Sequence, residues 1–351
     1  MSFGVGGGAA NDNYRNDIKP NQSVTPFNDS ISHISWSANG PYFATASWDS
    51  EIRLMEVQAG YQSSINQKAV YKFPMPALKC AWNDNANQLY VGLMDGTIKA
   101  YDMNTGQVGD IGRHNAAISS LHYIPGQNVI VSTGYENTVQ FWQPGNQNPV
   151  LSINADQKIF TTDFQFPMLV AGMAGEKMMF VDINNSNNKS IVDSNDLGKN
   201  SQIQSIAINN KTTVFGVASF DGRANLSNIT KNVNGLYAPK SIITFKSNKQ
   251  EEGGSTILYP INSVGFNPVN DKWFMTAGSD GGMHFWDYEA KNKIKTLNYG
   301  MPICCAKVSP KGEMIAIALG NDWHVGAEGA SKWQTKLGVH AITDNETKFN
   351  K

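Results

Sequence analysis

The stretch GSDGGMHFWDYEAKNKIK, residues 278–295, decides the fold of this 351-residue chain. It begins with an acidic turn at Asp280 and continues into an alternating segment that ends in Phe285, Trp286 and Asp287. An Asp followed by Gly favours a tight turn, because the carboxylate bonds its own backbone. The aromatic residues after the turn favour a strand, so this segment predicts a turn that leads into a sheet.

The same pattern recurs along the chain at a nearly constant interval. The matching segments are ASWDSEIRLMEV (46–57), GLMDGTIKAYDM (92–103), TGYENTVQFWQP (133–144), GMAGEKMMFVDI (172–183) and ASFDGRANLSNI (218–229). Each segment has an acidic turn residue, and a seventh stands at Asp322. Successive acidic residues are separated by 46, 41, 40, 45, 59 and 42 positions, and they are Asp49, Asp95, Glu136, Glu176, Asp221, Asp280 and Asp322. Two further strand-like runs precede each turn, as INSVGF and KWFMTAGS precede Asp280. Two strands before the turn, one after it and a connecting outer strand make four strands per repeat. Four strands with Trp-Asp after the turn are typical of WD repeats.

Seven such units predict an all-β fold, a seven-bladed WD-repeat β-propeller whose closed ring hides its sheet edges. The seventh unit comprises PICCAKVS, MIAIALG and KLGVHAI (336–342), and a fourth strand does not follow it in the sequence. We therefore expect an N-terminal strand, NDIKPNQSV (16–24), to close the ring. Residues 1–13 are predicted to be a disordered Gly- and Asn-rich tail, and residues 14–351 a single propeller.

Composition argues against several classes of function. The net charge of −1 creates no global field toward nucleic acid or anionic membranes. Three cysteines in a chain of this length make no disulfide framework and indicate a reducing compartment. Neither a secretory signal nor an apolar run of about 18 residues is present. We expect a soluble, intracellular protein without membrane insertion.

Motifs that carry catalysis, metal binding or cofactor binding are absent from the sequence. It contains no GxxxxGK[ST], HExxH, GxSxG, EF-hand loop or CxxC pair. The six histidines are scattered, and His114 stands where WD repeats place a histidine that bonds within its own blade. We therefore predict no enzyme, no cofactor and no metal site. A propeller enzyme, with titratable residues that converge on the central channel, is kept as an alternative hypothesis.

One region of the chain carries a local excess of positive charge. Between Lys240 and Lys311 there are nine lysines, no arginine and six acidic residues, an excess of three positive charges. An exposed aromatic beside lysines suits single-stranded nucleic acid, since a stacked base contributes about 1–3 kcal/mol and lysines follow the phosphates. The alternative is structural: Trp286 packs against its own blade, and the lysines solvate and protect a sheet edge.

Several longer segments resemble one family of propellers. In chain order they are ASWDSEIRLMEVQ (46–58), SFDGRANLSNI (219–229), TFKSNK (244–249), YPINSVGFNPVNDKWFMTAGSDGGMHFWDYEAKNKIK (259–295), NDWHVGAEG (321–329) and HAITDNETK (340–348). Their sequence and order are similar to those of the WD-repeat mRNA export factors of the RAE/GLE family. The resemblance covers nearly the whole chain.

The resemblance implies a nuclear-pore-associated scaffold without catalysis that acts in mRNA export. Such a protein binds the GLEBS motif of an FG-nucleoporin and single-stranded RNA, at the nuclear envelope and shuttling to the cytoplasm. The family's pattern places an RNA- and partner-binding rim on matching positions of this chain, which are Arg223, Phe245, Lys246, Trp286, Lys291 and Lys293. Tyr288 stands where the family commonly has Lys. The alternative is a mitotic checkpoint-type propeller that recruits kinetochore or spindle proteins.

Overall fold

The computed structural model describes residues 24–58, 64–185, 189–194, 197–198, 201–252 and 254–347. These residues fall into two compact units, which we call the N-terminal unit, up to Asp193, and the C-terminal unit, from Ser194 onward. Both units consist almost entirely of antiparallel sheets in which strands that follow each other in the chain lie side by side.

The N-terminal unit contains four sheets of four strands each. The first has strands Ile31–Trp36 (β1), Tyr42–Ser47 (β2), Glu51–Gln58 (β3) and Ser64–Lys72 (β4). The second has Ala77–Trp82 (β5), Gln88–Leu93 (β6), Thr97–Asp102 (β7) and Val108–Arg113 (β8). The third has Ile118–Ile124 (β9), Val129–Gly134 (β10), Thr138–Trp142 (β11) and Leu151–Asn154 (β12). The fourth has Ile159–Gln165 (β13), Met168–Met173 (β14), Lys177–Asp182 (β15) and Lys189–Asp193 (β16), with a 3-10 turn at Ile183–Asn185.

The C-terminal unit contains three further sheets and a separate hairpin. The fifth sheet has Ile203–Ile208 (β17), Val214–Ser219 (β18), Arg223–Asn228 (β19) and Lys240–Lys246 (β20), and the hairpin has Lys249–Glu252 (β21) and Ser255–Leu258 (β22). The sixth sheet has Ile261–Phe266 (β23), Trp273–Gly278 (β24), Gly282–Asp287 (β25) and Asn292–Asn298 (β26). The seventh has Ile303–Val308 (β27), Met314–Leu319 (β28) and Lys336–Ala341 (β29), and the helices are Glu328–Lys332 (α1) and Asp344–Thr347 (α2).

Burial along the sixth sheet shows how the core is built. Strands β24 and β25 are buried at every position, whereas the outer strand β26 exposes Lys293. These two strands are covered on both faces because the sixth sheet packs face to face against the fifth and the seventh. Trp273 and Phe285 stack with ring centroids 5.0 Å apart, inside a cluster that also contains Ile315 and Ile317 of the seventh sheet.

The acidic turns act as the sequence predicts. Between the second and third strands of a sheet, the carboxylate accepts a hydrogen bond from a backbone N–H two residues later, as Asp95 does from Thr97 (3.1 Å) and Asp280 from Gly282 (2.9 Å). Gly281 lies between them in the second case, with a φ of +77°. A Cβ atom there would lie 2.8 Å from the Met301 carbonyl oxygen, so this turn requires glycine.

Seven sheets confirm the prediction of an all-β, seven-bladed WD-repeat β-propeller. The predicted strand INSVGF is β23, and the predicted strand KLGVHAI is β29 with one residue fewer. The seventh sheet has three strands among the described residues, as expected from the sequence. The segment proposed to complete it, residues 16–24, lies outside the described residues apart from Val24, and so does the predicted tail 1–13.

Candidate binding surface

Trp286, at the end of β25, is a core residue of the C-terminal unit. Its side chain is 4% exposed, and its Nε1 donates to Thr276 Oγ1 at 3.1 Å on the adjacent strand β24. Phe245 on β20 packs against it with ring centroids 4.4 Å apart and is itself 8% exposed. Both rings are therefore buried, which agrees with the structural alternative for Trp286.

Lys293 lies over this aromatic pair. It is the strand partner of Trp286, and its Nζ atom lies 5.8 Å from the centre of the indole ring. Desolvation by burial lowers the pKa of Lys293, and the positive charge of Lys249 lowers it further, while Asp280 acts in the opposite direction. The side chains of Lys293 and Lys249 therefore approach each other, and Lys249 is the residue at which the hairpin β21–β22 begins.

Ion pairs neutralise some lysines of the basic region. Lys272 pairs with Glu289 at 2.6 Å, and Lys295 pairs with the buried Glu346 at 3.1 Å. By contrast, no carboxylate among the side chains that the structure describes forms an ion pair with Lys246, Lys291 or Lys293, all three of which are exposed. The positive potential is thus concentrated on fewer residues than the sequence count suggests.

Arg223 and Lys246 are direct partners in the ladder of β19 and β20. Arg223 is half-buried: its Nη1 donates to the Leu197 carbonyl at 2.8 Å and its Nε lies 3.4 Å from the Asp221 carboxylate. Asn248, two residues after Lys246, donates to the Gly282 carbonyl at 3.1 Å. These contacts place Arg223 and Lys246 at the end of the sheets where β25 begins.

Lys291 lies at the other end of β25. It is in the turn between β25 and β26, with a φ of +57°, after the strand has ended at Asp287. A six-residue strand is about 20 Å long, so Lys291 is far from Arg223 and Lys246. The structure brings together Phe245, Trp286 and Lys293. The other predicted rim residues lie at the two ends of β25, with Arg223 and Lys246 where it begins and Lys291 after it ends. Sequence reasoning did not single out Lys249, although its place in segment 246–260, which lengthens one spacing of the acidic turns to 59, was a usable signal.

His114 is part of a buried hydrogen-bond chain within the third sheet. Its Nδ1 lies 2.6 Å from Glu136 Oε1 and its Nε2 2.7 Å from Ser132 Oγ, which also accepts from Trp142 Nε1 at 2.7 Å. Burial lowers the pKa of His114 against the opposing effect of Glu136, so the ring is neutral and donates to the carboxylate. The predicted bond within the blade is confirmed, and this histidine has a structural role.

The sixth sheet repeats this arrangement without the histidine. Trp286, Thr276 and Asp280 occupy the positions of Trp, Ser and Glu, but Ser247 Oγ contacts Thr276 Oγ1 at 2.6 Å and Asn248 donates to Asp280 at 2.6 Å. Two shorter side chains thus replace one imidazole. The Asn248 Oδ1 atom, buried at this position, has no hydrogen-bond partner among the described residues.

A row of exposed apolar side chains marks one edge of the N-terminal unit. Trp48, Met94 and Tyr135 are 40%, 47% and 43% exposed, and each directly precedes the acidic residue of its turn. Trp82 Nε1 on β5 donates to the Ser35 carbonyl on β1, which fixes these first strands side by side. The turns of the first three sheets therefore present their apolar residues in the same place of each repeat. Sequence reasoning missed this row, although a large apolar residue directly before each turn acid was a visible signal.

Metal-ligating side chains are dispersed. In the described part of the chain, no three or more His, Cys, Asp or Glu side chains are grouped so that they could hold a metal ion. None of the helices described is long and apolar enough to cross a bilayer.

Comparison with known proteins agrees with this architecture. The family model described as "WD domain, G-beta repeat" matches residues 19–55 and 106–143. The "Poly(A)+ RNA export protein" of Schizosaccharomyces pombe is 27% identical over 343 residues, which cover 96% of this chain and 94% of the relative. The "mRNA export factor" of Xenopus tropicalis is 28% identical, over 93% of this chain and 91% of its own. The solved RRP9 WD40 repeats align over 91% of this chain and 96% of theirs with a TM-score of 0.76 at 15% identity, a likeness of fold alone.

The repeats, the seven sheets and the hydrogen-bond chain around His114 define this chain as a WD-repeat β-propeller protein. Several homologues that align with most of its length are named as mRNA or poly(A)+ RNA export proteins, which confirms the resemblance found in the sequence.

Proposed function

We propose that this protein is a non-enzymatic, nuclear-pore-associated scaffold in the export of mRNA, which binds a GLEBS-type nucleoporin segment and RNA. The observation that carries the proposal is the alignment with export proteins over nearly the full length of both partners. A shared sequence end to end means that the blades and their connecting loops correspond, and loops are where binding residues of a rigid scaffold lie.

The nucleoporin segment would bind along the exposed apolar turns. Trp48, Met94 and Tyr135 are large side chains that remain 40–47% exposed at equivalent places of successive sheets. Rows of exposed apolar residues on a soluble protein mark interaction sites. An extended segment could insert alternate side chains between these turns while its backbone bonds the turn residues, as in extended-peptide recognition.

RNA would bind on the C-terminal unit around Lys293. The proposed contacts are electrostatic, because Lys246, Lys249 and Lys293 are exposed and the charge of Lys249 acts on Lys293, whereas the rings of Phe245 and Trp286 are buried. The aromatic pair then supports Lys293 from beneath. Arg223 and Lys291 would extend the rim at the two ends of the sheets. We expect single-stranded RNA to bind with strong dependence on salt and little dependence on sequence.

The test uses the full chain. A purified nucleoporin segment that contains a GLEBS motif is used to capture the protein, and single-stranded RNA is titrated onto the free protein and onto the complex. Capture together with RNA binding supports the export scaffold. Capture without RNA binding, together with localisation at kinetochores, supports the checkpoint-type alternative. Failure of the nucleoporin segment to capture the folded protein contradicts the proposal.

A further inference from the structure

The C-terminal unit contains a pocket of about 700 Å³ that neither proposed surface uses. It opens beside the acidic turns of the fifth and sixth sheets and beneath the hairpin β21–β22. The residues that decide its chemistry are Phe220, Asp221, Tyr259, Asp280, His324 and Trp333. A volume in this range matches sites for ligands of several hundred daltons, so one amino-acid side chain with its flanking backbone fits within it.

Aromatic rings form one wall of the pocket. His324 stacks on Trp333 with ring centroids 5.6 Å apart, and Tyr259 meets the other side of the cluster edge-on at 5.9 Å from His324. His324 is held in place by Asp322, 2.5 Å from its Nδ1. Phe220, at the rim, is 55% exposed. The rings of His324, Trp333 and Tyr259 are therefore fixed by contacts with one another, and Phe220 adds an exposed aromatic surface at the rim.

Two carboxylates face the aromatic wall. Asp280 uses Oδ1 to accept from Asn248 and from the Gly282 backbone, while its Oδ2 lies 3.9 Å from His284 Nε2, beyond hydrogen-bond distance. Burial acts to raise the pKa of Asp280, but His284, Asn248 and the Gly282 N–H hold it below its usual value, so it is charged at neutral pH. Asp221 bonds Ser201 and Ser219 and keeps a side chain 35% exposed.

The chain itself shows that this wall accepts a positive charge. The Nζ atom of Lys332, an exposed residue at the rim, lies 4.7 Å from the centre of the Trp333 ring. Ammonium and guanidinium groups are attracted to the face of an indole within about 6 Å. A guanidinium is planar, so it stacks on a ring and at the same time donates several hydrogen bonds to a carboxylate.

We propose that this pocket binds an arginine side chain within a short peptide segment of a partner protein. The guanidinium lies against the Trp333 and His324 cluster and donates to Asp280 Oδ2. Ile257 of the hairpin, 37% exposed, covers the aliphatic part of the side chain. The proposal does not rest on nucleoporin or RNA binding, but its carboxylates adjoin the RNA rim, since Asp221 pairs with Arg223 and Asp280 acts on Lys293.

The experiment measures the binding of acetylated pentapeptides Ala-Ala-Arg-Ala-Ala to the full chain by calorimetric titration. The same peptide with citrulline keeps the shape of the side chain and removes its charge, and a glutamate peptide reverses the charge. We expect the arginine peptide to bind at least about tenfold more tightly than the citrulline peptide, and the glutamate peptide not to bind.

Variants locate the site. Trp333→Ala and Asp280→Asn should each weaken the arginine peptide about tenfold, and asparagine retains the oxygen that accepts from Gly282. Asp95→Asn, the equivalent turn change in the second sheet, is the matched control and should leave affinity unchanged. Equal binding of the arginine and citrulline peptides, absence of binding by the arginine peptide, or equal affinities for the wild type and Trp333→Ala would overturn the proposal.

Discussion

The ammonium group of Lys293 lies 5.8 Å from the centre of the Trp286 ring, directly across the ladder between β25 and β26. The ring is buried, so it holds the lysine stem and leaves the charge at the surface. A buried tryptophan of the core therefore supports a lysine of the proposed RNA-binding surface.

The double variant Lys249→Ala/Lys293→Ala should weaken single-stranded RNA binding and reduce its dependence on salt. Each lysine that contacts a phosphate of a single strand contributes about 0.7 to the slope of log affinity against log salt, so the slope should fall by about 1.4. Fluorescence anisotropy at several salt concentrations measures it. Lys311→Ala, which removes another exposed charge from a different turn of the same unit, is the control. An unchanged slope would show that these lysines only solvate the edge.

Replacing the exposed apolar turn residues should impair capture of the nucleoporin segment. We expect Trp48→Ala and Tyr135→Ala to lower affinity by about 2 kcal/mol each, because buried aromatic anchors dominate interfaces. Val108→Ala alters a residue of the same unit that is 52% exposed but lies outside the turns, and it should have no effect. Titration of the purified segment measures all three variants, and equal losses in all would argue against a localised contact.

Gly281 and Gly235 share a φ of +77° and offer a matched pair. A Cβ atom at Gly281 would lie 2.8 Å from the Met301 carbonyl oxygen, whereas at Gly235 no atom lies within 4 Å. Gly235→Ala should cost about 1 kcal/mol of unfolding free energy from the left-handed backbone alone. Gly281→Ala should cost about 3 kcal/mol, because the turn must also shift. Urea unfolding measures both, and equal losses would refute the role of the contact.

Glu346 anchors the C-terminal helix α2 and should make stability depend on acid pH. Its carboxylate accepts from His340 at 2.9 Å, from the Thr343 N–H at 2.9 Å and from Lys295 at 3.1 Å. Burial acts to raise the pKa of Glu346, but these donors lower it to about 2. Because the folded pKa is depressed, its stabilising effect is complete above the ordinary pKa of a glutamate and is lost as pH falls toward 2.

Glu346→Gln should therefore lower the unfolding free energy at neutral pH by about 3 kcal/mol, since Lys295 and His340 lose their charged partner. It should also remove part of the loss that the wild type suffers on acidification from pH 5 to pH 2. Urea unfolding across this range measures both effects. Asn345→Ala, at an exposed position of the same helix, should leave stability nearly unchanged. A variant with the pH dependence of the wild type would exclude Glu346 as its source.

Much of the architecture was predictable because it is encoded locally. A turn acid bonds a backbone N–H two residues away, and strand alternation acts over six residues, so INSVGF could be recognised as β23 without knowledge of its neighbours. His114 was predictable for the same reason, since the repeat places Glu136 and Ser132 at set intervals. The period of the turns then implies seven sheets.

The binding surface was less predictable because its charge depends on residues distant in the chain. Lys295 looked like part of a basic run, but it is neutralised by Glu346, 51 positions away. The sequence left open whether Trp286 is exposed beside the lysines or packs in the core, and the structure packs it against Phe245 across two sheets. No local pattern reports such pairs.

The sequence by itself determined the repeat, the number of sheets and the turns, since backbone hydrogen bonding and alternation of apolar residues act over short distances. Only the tertiary structure decided which aromatic rings are buried, which lysines are neutralised by ion pairs and where a pocket remains between turns. Those properties follow from packing sheet against sheet, which removes some groups from water and leaves others in it according to neighbours that lie far away in the chain.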